Sequence, residues 1–271
     1  MSARRAISRL GLAGTPWRAI VAVIACLSAF DVTLGLTYPL FSLVLEGRGV
    51  GAAWVGANAA MTPLGLLLTA PAVLPLARRV GVWQLALLCI GVTAATLVLL
   101  RLIDELGAWF LLRLLLGGAI GMLFALSEGW INALATEETR GRVIGLYSSI
   151  PSLGFATGPF LLTSTGSAGW PPFLAGLTFV GLSAFALLWA RGAAPDLAQE
   201  QRASLASFAG RAPSLLTVVG VFALFDTAVM ALLPVYALRN GMDEAAAANA
   251  VGVLIIGNVV LQPVIGWSAD R

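Results

Sequence analysis

The chain has 271 residues, of which 59% are hydrophobic and only 11% are charged. Soluble proteins carry about 25% charged residues, so this composition predicts a membrane protein. The formal charge of +3 comes from 16 scattered arginines, which does not favour a nucleic-acid surface. The chain has no histidine, and Cys26 and Cys89 lie inside apolar runs, which argues against a metal site or a disulfide framework.

The first apolar run, at 17–45, follows a short segment that contains Arg4, Arg5 and Arg9. It is longer than the 7–15 apolar residues of a typical signal peptide, so we expect an uncleaved membrane helix. Seven more apolar runs follow, each near the roughly 20 residues that are needed to cross a bilayer. We place them at 52–77, 82–101, 106–132, 143–163, 170–190, 213–238 and 245–267.

The polar stretch 191–212 is the only linker that the sequence predicts. It separates an N-terminal six-helix bundle at 1–190 from two helices at 213–271, the start of a second bundle. With the N-terminus in the cytoplasm, the predicted cytoplasmic segments hold twelve arginines and the external loops hold three. Because arginine is enriched on the cytoplasmic side of membrane proteins, this bias predicts a cytoplasmic N-terminus and a cytoplasmic linker.

An internal repeat relates the beginning of the chain to its end. Asp31 is followed eight residues later by Pro39, and Asp226 is followed at the same spacing by Pro234. The repeat distance is six predicted helices. An even number of crossings gives both copies the same orientation, as in the parallel repeats of some transporters. The sequence therefore predicts about two thirds of a protein with two six-helix halves.

Two motifs lie on the fourth and fifth predicted helices. Arg113 and Gly117 form an R-x-x-x-G pattern, and Gly154, Gly158 and Pro159 form a G-x-x-x-G-P pattern. With the repeat, their order and spacing resemble the major facilitator superfamily of transporters. The resemblance implies an all-α membrane protein, a bundle of which about eight of an expected twelve helices are present. It also implies helix packing by the glycine motif and a link between the arginine motif and proton coupling.

A third motif follows the second helix of each half in this family. Gly266, Asp270 and Arg271 match the opening of its G-x-x-x-D-R pattern. Because the chain ends inside this pattern, the resemblance predicts a truncation after the eighth helix. The first-half copy is degenerate: Arg78 replaces the aspartate, and Arg79 follows it. The resemblance implies that these residues act in conformational change, an implication that the degenerate copy weakens.

Apart from Arg18 and Arg101 at the ends of their runs, four charged residues lie inside the predicted helices, where charge is expensive and marks substrate or proton pathways. The resemblance places Asp31 and its repeat mate Asp226 beside a central cavity, where we expect them to exchange protons; a structural hydrogen bond is the alternative. Arg113 is expected to pair with Asp31 or attract an anionic substrate, unless it snorkels outward. Glu128, about 22 Å further along the same helix, is expected near the cytoplasmic end, in a gate, a structural pair or a proton relay.

Three uncharged polar residues complete the predicted site: Asn58, Asn258 and Gln262. Amide side chains in membrane helices can hydrogen-bond a substrate, but they more commonly hold neighbouring helices together. The sequence does not distinguish these two roles.

The resemblance implies secondary active transport by alternating access, with proton-coupled export of a small molecule across a bacterial inner membrane. Segment 154–159 is similar to the motif of antiporters that export drugs or metabolites, and segment 127–147 is similar to that of bacterial YcaD-like members. The expected partners are a small-molecule substrate, protons and the lipid bilayer; no cofactor, metal or nucleic acid is expected. Two alternatives are a truncated fragment without transport activity and a membrane protein that depends on a partner. An intramembrane enzyme is disfavoured, because no catalytic motif surrounds either aspartate.

Overall fold

The computed structural model describes residues 17–189 and 213–269. Within these ranges the chain is helical and contains no strand. The predicted linker 191–212 and the three N-terminal arginines lie outside the described residues. The helices are α1 Trp17–Gly47, α2 Ala52–Thr69, α3 Val73–Val80, α4 Val82–Leu102, α5 Leu106–Leu134, α6 Arg140–Thr165, α7 Pro171–Trp189, α8 Pro213–Arg239 and α9 Glu244–Ala269.

The second predicted run consists of two helices. A short 3-10 helix at Ala70–Ala72 joins α2 to α3, and it contains Pro71. Proline lacks a backbone N–H and clashes with the preceding turn, so the α-helix is interrupted there. Because α2 and α3 form one apolar segment, Ala52–Val80, the described chain contains eight helical segments, and the predicted all-α bundle is confirmed.

Six of the described segments are long and apolar enough to cross a membrane: Trp17–Gly47, Ala52–Val80, Val82–Leu102, Leu106–Leu134, Pro171–Trp189 and Gly220–Arg239. The helix α6, which we predicted as an apolar run, is not among them, because it is rich in serine, threonine, glycine and proline. Its position explains this composition. One side of α6 packs against α1 and α9, so lipid does not surround it.

The helix α1 lies at the centre of the bundle and packs against α6 and α7 along much of its length. Its buried face continues into a core that contains Phe30, Phe41 and Trp109. The indole N–H of Trp109 donates a hydrogen bond to the carbonyl oxygen of Ile103, at 2.7 Å. This bond satisfies the one polar group of a fully buried ring, as burial in an apolar environment requires.

Glycines bring α1 and α6 into backbone contact. A Cβ atom on Gly154 would lie 2.5 Å from the carbonyl oxygen of Ser28, and one on Gly158 would lie still closer to the backbone of Gly35 and Leu36. Only glycine fits at such a distance, as in other closely packed membrane helices. The G-x-x-x-G motif therefore fixes how closely the two helices approach.

A second close contact joins α2 to α5. A Cβ on Gly117 would overlap the backbone of Thr62, and one on Gly65 would overlap the backbone of Leu114. Both glycines face the partner helix at nearly the same level. The glycine of the R-x-x-x-G motif thus holds Thr62 beside the helix that carries Arg113.

Candidate functional site

A cavity of about 340 Å³ lies between the N-terminal helices and the pair α8 and α9. Its polar lining comes from Asp31, Tyr38, Thr62, Ser152 and Asp226, and the rest of the wall is largely apolar and aromatic. The lining combines α1, α2, α5 and α6 with the two helices of the second repeat. A mostly apolar pocket with a few polar groups is the usual form of a small-molecule site.

The two repeat-equivalent aspartates both line this cavity. Asp31 is buried on α1, with 6% of its surface exposed, and Asp226 is half-buried on α8. Within the described part of the chain, neither carboxylate forms an ion pair. Each carboxylate is therefore available to a proton, a cation or a hydrogen-bond donor that enters the cavity.

Tyr38 is a cavity residue that the sequence analysis missed. It lies two turns after Asp31 on α1, and its ring packs edge-on against Phe155, with 5.9 Å between the ring centres. It lines the cavity together with Asp31 and Asp226. The seven-residue spacing from Asp31 places both on one helix face, which is the signal that would have found it.

Arg113 neither pairs with Asp31 nor snorkels to the surface. It is buried on α5, with 3% exposed. Its Nε donates a hydrogen bond to Oγ1 of Thr62 at 3.3 Å, and its guanidinium lies 4.9 Å from the centre of the Phe41 ring. Because Thr62 lines the cavity, this hydrogen bond places Arg113 directly behind the cavity wall.

Glu128 lies outside the cavity lining. It is exposed on α5, less than two turns before the helix ends. The neighbouring Ser127 shares a hydrogen bond of 3.3 Å with the hydroxyl of Tyr147 on α6. The structure thus does not bring Glu128 together with the two aspartates.

Asn58 is fully buried on α2, and neither its amide oxygen nor its amide nitrogen has a partner within the described ranges. It does not line the cavity, although Thr62, one turn later, does. Asn258 and Gln262 lie on α9, but their side chains are outside the described part of the structure. The structure therefore gives no contact that assigns any of these amides to a substrate.

The loop motif is described only in part. Arg78 and Arg79 lie exposed in the last turn of α3. Gly266 lies on α9, and Asp270 and Arg271 are outside the described residues.

At one end of the cavity the two repeats are joined by polar contacts. The guanidinium of Arg239 on α8 donates two hydrogen bonds to the carboxylate of Glu46 on α1, at 2.8 and 3.1 Å. Near them, the Ser167 hydroxyl donates to Oε2 of Glu244 on α9, at 2.7 Å. We call these two contacts the latch.

At the opposite end the side chains of α6 and α8 are largely exposed. The first half of α8 exposes large apolar side chains such as Phe222 and Phe225, while Met230 and Val235 in its second half are buried. The first half of α6 is likewise mostly exposed. The polar contacts described between the two repeats therefore lie at the latch, and the other end carries exposed side chains.

A sequence profile described as "Major Facilitator Superfamily" matches residues 21–271. The chain belongs to the major facilitator superfamily.

Two known proteins of this type are similar to the chain. An "Uncharacterized MFS-type transporter YfkF" from Bacillus subtilis (strain 168) is 26% identical over 258 residues, which cover 93% of this chain and 66% of the relative. A crystal structure of a mutant of the nucleoside transporter NupG superposes with a TM-score of 0.69 at 16% identity, over 94% of this chain and 68% of NupG. The chain thus spans about two thirds of each, and the NupG likeness establishes the fold.

Membership of the superfamily confirms the family resemblance and the helical bundle that the sequence predicted. It supports a multi-pass membrane protein whose family transports small molecules. The latch joins α1 to α8 and Ser167 to α9, which lie on opposite sides of the predicted linker.

Proposed function

We propose that the protein is a secondary active transporter that exports a small molecule in exchange for protons, by alternating access. The observation that carries this proposal is the position of Asp31 and Asp226, which come from equivalent helices of the two repeats and line one cavity. Ionisable residues within membrane helices typically belong to substrate pathways or proton relays. A substrate that binds at these carboxylates competes with the protons that they hold, which couples the two fluxes.

The two aspartates act as a coupled pair in this mechanism. Carboxyl groups that interact lose their protons in two steps that belong to the pair rather than to either residue. Substrate entry displaces a proton from the pair, and reprotonation after the substrate leaves resets the site. Tyr38, which lines the same cavity as both carboxylates, orients the substrate by hydrogen bonding.

Arg113 acts as a fixed cation behind the cavity wall. Its hydrogen bond to Thr62 and its contact with Phe41 hold it in place. A cation held behind the cavity wall favours negative charge inside the cavity, and this effect decreases with distance. We therefore assign Arg113 a positioning and electrostatic role rather than direct contact with the substrate.

The latch closes the cavity on one side in the conformation described. The arginine distribution along the chain supports a cytoplasmic N-terminus in a bacterial inner membrane, and the latch then lies on the external side. This conformation is accordingly the inward-facing one, and breaking the latch while the other ends approach gives the outward-facing one. Fusion of a reporter that is active only outside the cytoplasm to the N-terminus tests the orientation; activity of that fusion contradicts it.

Transport by the full-length protein in liposomes tests the proposal. A pH gradient is imposed, and uptake of candidate small molecules is compared for the wild type, Asp31→Asn and Asp104→Asn. Asp104 is a matched control, because it is an exposed carboxylate that pairs with Arg48 away from the cavity. We expect the gradient to drive transport in the wild type and in Asp104→Asn but not in Asp31→Asn. Equal transport by all three contradicts the coupling role of Asp31.

The direction of transport needs a separate experiment. Membrane vesicles of opposite orientation, loaded or surrounded with the same substrate, distinguish export from import. We expect a proton gradient to accumulate substrate in inside-out vesicles, because export from the cell is uptake into such vesicles. Accumulation in right-side-out vesicles alone contradicts export.

A second candidate is a membrane protein that needs further helices, from the same or another polypeptide, to complete its cavity. It is favoured by the face of α8 that carries Val218, Val221, Phe222 and Phe225, each more than 60% exposed. These positions follow a helical spacing, so they form one continuous apolar stripe. Cross-linking from a cysteine at Val221 in native membranes tests this candidate. A defined protein adduct supports it, and labelling by lipid alone contradicts it.

A further inference from the structure

A second depression, which we call the lateral groove, lies on the side of the α2–α5 contact that faces away from the central cavity. It has a volume of about 350 Å³, and its walls come from α2, α3, α4 and α5. They include Leu76, Val80, Leu88, Val92, Leu115 and Met122. The closely packed Gly65 and Gly118 form its floor, so the groove does not open into the central cavity along this contact.

The lining of the groove excludes a polar occupant. All of its lining residues except Thr69 have uncharged side chains of low polarity, and Leu88 and Leu115 are 56% and 48% exposed. All of them lie on helices long and apolar enough to cross the membrane. A groove of this kind faces the hydrocarbon region, where no water is present to compete for it.

The length of the groove along the helix axes is close to the hydrocarbon thickness of one bilayer leaflet. On α4 the lining extends from Leu85 to Val92, and on α5 from Leu114 to Met122. At 1.5 Å per residue these spans are about 10 and 12 Å long. One leaflet contributes about half of the roughly 30 Å hydrocarbon core. A single acyl chain of one leaflet therefore lies in the groove over most of the length of that acyl chain.

The end of the groove carries positive charge. Val80 lines the groove, and the residues directly before it, Arg78 and Arg79, are exposed in the last turn of α3. Basic residues at the end of a groove between membrane helices attract anionic lipid head groups, at about 1 kcal/mol for each arginine near the surface. The shape of the groove thus favours an acyl chain, and the charge at its end favours an anionic head group on the same lipid.

We propose that the lateral groove binds an anionic phospholipid, with one acyl chain between α2, α4 and α5 and the phosphate at Arg79. This gives a function to the arginine pair of the degenerate loop motif, which the transport cycle proposed above leaves unassigned. The proposal does not depend on the substrate or on the direction of transport.

Native mass spectrometry of the delipidated chain tests this proposal. The chain is titrated with phosphatidylglycerol and with phosphatidylcholine of the same acyl composition. Arg79→Gln removes the charge at the end of the groove, and Leu88→Trp fills the groove with a larger side chain. The matched controls are Arg140→Gln, an exposed arginine at the same end of the bundle, and Leu99→Trp, an exposed leucine of α4 outside the groove.

We expect phosphatidylglycerol to bind at least fivefold more tightly than phosphatidylcholine. This preference should fall about fivefold in Arg79→Gln, the factor that corresponds to 1 kcal/mol. Leu88→Trp should lose binding of both lipids, and the two controls should behave like the wild type. Equal affinity for the two lipids in the wild type overturns the proposal. So does a variant that binds like its matched control.

Discussion

The glycine contact between α1 and α6 gives a quantitative prediction, because the same helix contains a matched control. A Cβ on Gly154 would lie 2.5 Å from the Ser28 carbonyl oxygen, 0.9 Å short of the 3.4 Å at which ordinary contacts begin. A Cβ on Gly145 would meet nothing within 4 Å. Gly154→Ala therefore has to push the two backbones apart, and Gly145→Ala does not.

The difference in stability between the two variants isolates the free-energy cost of forcing a methyl group into the close contact. Both gain the helix propensity of alanine over glycine, about 1 kcal/mol, so this gain cancels in the comparison. Overpacking a tight contact costs about 1–3 kcal/mol. For a protein of this size each kcal/mol lowers the melting temperature by about 2–4 °C. We therefore expect Gly154→Ala to unfold several degrees below Gly145→Ala.

The two cysteines provide the assay. Cys26 and Cys89 are both buried, so a thiol-reactive dye becomes fluorescent only as the bundle unfolds. Thermal scans in one detergent, at one protein concentration, compare the wild type with the two variants. If Gly154→Ala and Gly145→Ala melt at the same temperature, the backbones of α1 and α6 are not in contact at this motif, and the packing argument is refuted.

Three further predictions concern the latch and two buried side chains. Glu46→Gln and Arg239→Gln each remove the same contact of the latch. Each should speed the labelling of a cysteine introduced at Met230 by an impermeant reagent that is added on the latch side. The double variant should be labelled no faster than either single variant. Arg113→Lys should lower thermal stability by about 1–3 kcal/mol, because an ammonium does not reproduce the fork and stacking of a guanidinium; an unchanged melting temperature contradicts this. Asn58→Val should raise the melting temperature, because it removes a buried amide that has no partner among the described residues. A lower melting temperature would show that the amide has a partner.

Hydrophobic length and the repeat made much of the fold predictable. Every described helix begins or ends within a few residues of a predicted run, except where Pro71 divides the second run. Asp31 and Asp226 occupy the same place in equivalent helices, and the family resemblance led us to expect them beside one cavity. Both line the cavity of the structure, and their role in proton exchange stays a prediction. The positions of the helices could be predicted from apolar runs because each helix is long and nearly uniformly apolar.

Contacts between distant residues could not be predicted in the same way. The latch joins Glu46 to Arg239, which are 193 residues apart, and Arg113 binds Thr62, 51 residues before it. Such pairs depend on the rotation of each helix about its axis, which a helix that is apolar on all sides does not reveal. The same uncertainty concealed Tyr38, whose position in the cavity follows only from the face of α1 that Asp31 occupies.

The central claim is that substrate and protons compete at the two cavity aspartates. The most direct measurement is proton release by the purified full-length protein, in weak buffer, when candidate substrates are added. We predict a substrate-dependent release that disappears in Asp31→Asn and persists in Asp104→Asn. A release of the same size in Asp31→Asn and in the double variant with Asp226→Asn would place the coupling site elsewhere and contradict the claim.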